Sequence, residues 1–181
     1  VVDFNAEVVI TVDANTGGAR EATVTVNYEY AKAVKITVKQ KEAGNSNFDV
    51  EFEAKRFEGI YFGTDYSSTP NYYVILSDIG AASDGSPKAN GTYYFFDMYN
   101  KSVADEECPI LPNGKYTYDT DNSYANLTFS EEGSWYGVMD ANGEFAKTGD
   151  FVSASVSVTD NKFEAIVELT TGEKHHILCV G

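Results

Sequence analysis

Asp and Glu number 28 against 13 Lys and Arg, a formal charge of −15, so carboxylate chemistry is the first kind to look for. A glycosidase needs two carboxyls at a set separation in a cleft, one of them desolvated. Asp78 and Asp97 are the pair to consider, since each ends or interrupts an aromatic run. With so much acid in the chain, solvated turn or edge positions are the plainer reading of both. His175 and His176 are the only histidines; neighbours on a strand point to opposite faces, so they cannot chelate one metal together. A triad would need a nucleophile and an acid beside one of them, and the chain has no Gly-x-Ser-x-Gly elbow. The expectation is a protein without catalytic activity. Asp119-Thr120-Asp121-Asn122-Ser123 sets oxygens at alternate positions, which makes Asp119 and Asp121 candidate ligands of a structural calcium. An EF-hand loop would require Gly and Glu where this chain has Tyr124 and Ser130. Only a looser calcium site fits, and no other cofactor is expected.

The aromatic residues carry more content: 13 Tyr, 11 Phe and one Trp. A tyrosine ring can cover the apolar face of a sugar while its hydroxyl bonds outward. Trp135-Tyr136 beside a turn, Tyr66 in a Ser/Thr/Pro loop, and Tyr72 and Tyr99 at the ends of strands are the candidate ligand-binding residues. The competing explanation is packing, because strands favour aromatic side chains and large rings are mostly buried. Rings converging on one groove would point to a polysaccharide or a glycoprotein glycan as partner. Uniformly buried rings would leave a structural or adhesion spacer. An enclosed apolar cavity beneath 72–99 would instead suit a lipid or another small ligand.

The elements that must position these residues are strands. Tyr72–Asp78 and Gly91–Tyr99 are the most β-prone runs, joined by the Gly/Ser/Asp/Pro-rich connection Ile79–Asn90. Both phases of both runs are apolar or aromatic, so this pair is either covered on both faces or exposes a surface with a purpose. Around it, Phe48–Lys55, Phe57–Gly63, Lys115–Tyr118, Ala125–Ser130, Trp135–Asp140 and three plain alternating runs from Val152 to Val180 read as strands separated by turns. Nothing sustains a helical period. The class is all-β, an antiparallel sandwich in the first instance with a lipocalin-like closed barrel as the alternative.

The net charge excludes nucleic acid and anionic membrane surfaces as partners, and no apolar run is long enough to span a bilayer. Cys108 and Cys179 could form at most one bridge.

Residues 1–43 alternate cleanly with period two. Their run Val9-Ile10-Thr11-Val12-Asp13-Ala14-Asn15-Thr16-Gly17-Gly18-Ala19-Arg20, continued by Glu21–Val26 and by Lys35-Ile36-Thr37-Val38-Lys39-Gln40, resembles the second half of a BACON domain. The shared pattern is a strand, an Asn-Thr-Gly-x-x-Arg turn and a hairpin closing in Thr-Val-x-Gln. That family is an immunoglobulin-like sandwich of exported Bacteroidetes proteins. The resemblance implies a partial BACON-like domain over 1–44, its first half preceding Val1, and a separate antiparallel β-domain over 48–181. The later domain is similar to β-rich domains that follow BACON-like modules in exported lipoproteins. Together these imply export, a lipid anchor and a carbohydrate-binding or spacer role at the cell surface.

Overall fold

The computed structural model describes residues 9–13, 15, 19–27, 32–40, 47–102 and 110–181. Their regular structure is entirely β, and the chain divides into two compact units, residues 1–45 and 46–181. No helix occurs among them, so none is long and apolar enough to cross a membrane. Cys108 lies outside the described residues; among those described, Cys179 has no disulfide partner.

The first unit holds an antiparallel hairpin of β1 (Arg20–Val26) and β2 (Val34–Gln40), in register from Arg20↔Gln40 to Val26↔Val34. The two ends of the turn-and-hairpin motif meet. Arg20 Nε donates to Gln40 Oε1 over 2.6 Å, and both side chains donate to the Asp13 carbonyl, at 3.1 and 2.8 Å. Sequence alternation predicted a further strand around 8–12, but residues 9–13 form none; the Asp13 carbonyl takes side-chain donors instead of a ladder. The expected buried face is only half-buried at Val24, Val26, Ile36 and Val38, as befits a sheet of two strands.

The second unit runs β3 (Val50–Glu53), β4 (Arg56–Gly63), β5 (Asn71–Ser77), β6 (Thr92–Tyr99), β7 (Gly114–Asp119), β8 (Thr128–Ser130), β9 (Trp135–Met139), β10 (Phe145–Thr159), β11 (Lys162–Leu169) and β12 (Lys174–Val180). Two strands, β6 and β10, each divide one edge between two neighbours while β5 and β11 take the other edge. β6 pairs with β9 through Thr92–Phe95 and with β8 through Met98 and Tyr99. The 15-residue β10 pairs with β9 up to Asp150 and with β7 from Ser155 to Val158, with a register shift between Phe151 and Ser153. Since β7 and β8 pair in parallel, the strands β6-β9-β10-β7-β8 close on themselves as a barrel. β11 and β12 extend one side, and β5 and β4 the other. β3 lies parallel to β12, and at Ala54–Lys55 the chain crosses to β5, with the Ala54 N–H donating to Leu178 and the Lys55 N–H to Ser77. Closure is the arrangement of the barrel alternative. It leaves β7, β8 and β9 paired on both sides, while β3 and β4 remain the ends of the sheet.

The organising pair sits at the centre in the register Asn71↔Tyr99 to Ser77↔Tyr93. Its even phase, Tyr72, Val74, Leu76, Tyr94, Phe96 and Met98, points into the main core, where Phe96 packs on Phe129, Phe151 and Phe163. The odd phase is the outer face. Ile75, Tyr93, Phe95 and Met139 form a second, smaller core there, flanked by Tyr73 and Trp135. The connection 79–90 returns over one end of this face. The Tyr93 hydroxyl accepts from the Lys88 N–H at 2.7 Å and donates to the Gly80 carbonyl at 2.9 Å, holding the connection down. Nothing in that connection reaches the other end, which carries Asp97 and Tyr99.

Candidate functional site

The outer face continues past Phe95 into a groove of ≈ 340 Å³. Its walls are the rings of Phe62, Tyr66, Tyr73, Tyr99 and Tyr124, and its polar groups are Asn71, Asp97 and Glu132, with Gly133 at its base. Strand alternation delivers four of these: Asn71 and Tyr73 on β5 face Tyr99 and Asp97 on β6 as direct cross-strand partners. Phe62 stands one residue before the end of β4, and Tyr66 follows in the loop to β5, their rings meeting edge-to-face at 5.3 Å. Tyr124 and Glu132 come from the segments around β8, and the Tyr124 ring lies against Tyr99 at 4.9 Å.

Asp97 is the polar centre. Its Oδ1 accepts from Asn71 Nδ2 at 2.6 Å, and its Oδ2 accepts from the Tyr99 hydroxyl at 2.8 Å and the Ser130 hydroxyl at 2.5 Å. The Asp97 N–H in turn donates to Ser134 Oγ at 3.0 Å. Every group at the carboxylate donates to it, which fixes its rotamer with charge-assisted bonds. Gly133 is packed so closely that a Cβ there would overlap the Asp97 side chain. Among the described residues no ion pair involves Asp97 or Glu132. Burial and then the Asp97 hydrogen bond push the Tyr99 phenol well above its ordinary range. Burial, followed by the charge of Glu132, also raises the Tyr124 phenol.

Tyr124 also has φ +54°. A bulky side chain in the left-handed region is strained. Such strain persists only where the surroundings over-determine it, and it concentrates at functional sites.

The candidate residues are distributed as follows. Tyr66 is 68% exposed, and Tyr66 and Tyr99 line the same groove. Tyr99 is buried except at that wall. Trp135 stands one step behind it: its ring stacks on Phe95 at 4.3 Å, and Phe95 in turn stacks on Tyr73 at 6.0 Å. Tyr72 and Tyr136 point inward instead. Tyr72 is buried, with its hydroxyl donating to the Ser102 carbonyl, and Tyr136 packs on Tyr94 and His175. Asp78 accepts from the Thr92 N–H at the far end of β6. Ser77 opposes Tyr93 while Tyr73 opposes Asp97, so Asp78 and Asp97 are separated by roughly 13 Å or more at about 3.3 Å per residue. That exceeds the roughly 5–9.5 Å of a glycosidase pair. Asp119 accepts from the Asp121 N–H, the Ser123 N–H and the Ser123 hydroxyl. Partial burial opposes its ionisation, but the Ser123 and Asp121 hydrogen bonds prevail and hold it below the usual range. Among the described residues no group of three or more His, Cys, Asp or Glu is placed to hold a metal. The histidines do face opposite ways: His175 is fully buried, with Nδ1 2.7 Å from the Tyr94 hydroxyl, and His176 bonds Glu51 and Glu164.

Sequence reading missed Phe62, Asn71, Tyr73, Tyr124 and Glu132. Tyr73 and Asn71 share a phase with Asp97 and Tyr99, a signal that becomes usable only once the hairpin register is known.

Residues 3–41 match the sequence model of the BACON family, described as "Putative binding domain, N-terminal". No curated protein and no solved structure matches the chain.

Proposed function

We propose that this chain is a non-catalytic carbohydrate-binding protein, exported and displayed at the cell surface, whose glycan site is the groove of Tyr66, Tyr99 and Tyr124. The observation that carries this reading is the convergence of five rings and a rigidly held polar cluster in one open groove. Rings offer flat apolar surface to the C–H face of a pyranose, and Asp97 and Glu132 offer acceptors to its hydroxyls. An open groove suits a polymer that enters and leaves along its length. Export and anchoring rest on the BACON-like hairpin alone.

The test is affinity electrophoresis of the protein and of Tyr66→Ala and Tyr124→Ala through gels containing plant and host polysaccharides. Retardation on at least one polymer, reduced in both variants, is the expected result. No retardation on any polymer would leave a spacer or adhesion role in place of this one.

A further inference from the structure

The groove's charge is a separate matter from its rings. Asp97 is half-buried and Glu132 stands beside it, and no cationic side chain among the described residues lines the same groove. Elsewhere the described carboxylates often have a lysine or histidine: Glu53 with Lys55, Glu173 with Lys147, Glu164 with Lys162 and His176. Here three neutral groups donate to Asp97 and none neutralises it. Among the described residues the Glu132 carboxylate receives only a long hydrogen bond from the Tyr124 hydroxyl, at 3.4 Å. A carboxylate withdrawn from water without a counter-charge is costly, and a cation arriving from outside removes that cost. Aromatic faces add to the attraction, because a ring quadrupole draws a cation to within about 6 Å of its centroid. The Tyr99 and Tyr124 phenols, raised first by burial and further by Asp97 and Glu132, register the same negative potential.

We infer that the groove selects glycans bearing a protonated amine, with Asp97 and Glu132 receiving the ammonium group while the Tyr66 and Tyr124 rings cover the sugar face, and that it rejects uronic-acid polymers. This rests on the carbohydrate reading of the same groove and specifies its ligand class. No bond is made or broken; the recognition is electrostatic and stacking.

The probes are a glucosamine tetrasaccharide, its N-acetylated counterpart and a galacturonic acid tetrasaccharide, titrated calorimetrically into the intact chain at mildly acidic pH, where the amine is charged. The glucosamine oligomer is expected to bind about fivefold or more tighter than the N-acetylated one, with the difference shrinking as salt is added. The galacturonic acid oligomer is expected not to bind. Glu132→Gln, at an exposed position, should bring the glucosamine affinity down toward that of the neutral oligomer. Equal affinity for the charged and neutral oligomers, or tighter binding of the acidic one, overturns the amine preference and leaves glycan binding standing. Absence of binding to all three, alongside retardation by a neutral polysaccharide, also overturns it. Failure with every oligomer and polymer overturns both.

Discussion

The Tyr99 hydroxyl donates to Asp97 Oδ2 across 2.8 Å, two residues away on the same face of β6, so a single strand supplies both a wall of the groove and its charged centre. Removing that donor while keeping the ring isolates its part. Tyr99→Phe leaves a half-buried carboxylate one bond short and should destabilise the protein by about 1–3 kcal/mol. Urea denaturation with an unchanged m-value would report it; an unshifted midpoint would mean that water replaces the hydroxyl without loss.

Gly133 holds Asp97 by absence of a side chain. Gly133→Ala places a methyl group inside the Asp97 side-chain volume, and the displacement should cost about 1–3 kcal/mol. Glycan affinity should fall as well, because Asp97 loses its position. A variant with wild-type stability and affinity would show that the β8–β9 turn shifts freely.

Tyr124 separates stability from function. Tyr124→Gly relieves a left-handed backbone strain of about 1–2 kcal/mol while losing the contact with Tyr99, worth roughly 0.5–1.5 kcal/mol. Net stability should therefore move by less than about 1 kcal/mol, whereas affinity in the groove should fall roughly tenfold with the loss of a stacking ring. A large stability loss with intact binding would reverse this assignment.

The two histidines impose opposite pH dependences. Burial holds the His175 imidazole below its ordinary 6.5. The unfolded chain then binds more protons, so the contribution of His175 is complete above 6.5 and is lost as pH falls from 6.5 toward the lowered folded value. At His176 burial opposes charging, but hydrogen bonds with Glu51 at 2.5 Å and Glu164 at 3.0 Å prevail and raise its pKa above 6.5. Its contribution is complete below 6.5 and is lost as pH rises through the raised value. His176→Gln should therefore lose stability mainly on the acid side, which urea midpoints measured from mildly acidic to mildly alkaline pH will show. A loss constant over that range would argue that His176 stabilises by packing on Phe48, whose ring lies 5.2 Å away.

Trp135 is the only tryptophan and is tied to the groove through Phe95, which stacks on both Trp135 and the groove residue Tyr73. Its emission should change on glycan binding in the wild type and stay constant in Tyr66→Ala under the same titration. An emission change that persists in Tyr66→Ala would place the binding event elsewhere on the outer face.

Much of the strand pattern was legible because a half-buried strand writes period two into its own residues. Val156 and Val158, or Phe163, Ala165, Val167 and Leu169, point inward just as their alternation with polar neighbours states. The double-sided apolarity of 72–76 and 93–98 also stated its consequence: two faces, each with a core. The motif placed Arg20 and Gln40 at the two ends of the turn-and-hairpin pattern; their contact is the structure's addition.

What only the tertiary structure decided is which strands are neighbours. Closure needs β7 beside β8 in parallel and β6 and β10 each shared between two partners, and no local pattern encodes a pairing between residues so far apart in sequence. The same limit hid the site. Tyr72 and Tyr73 are equally aromatic in sequence, but register turns one into the core and the other onto the outer face, since a shift of one residue exchanges the faces of a strand. Composition determined that this chain is an acidic, aromatic, all-β protein. Long-range pairing determined which few of its rings and carboxylates meet.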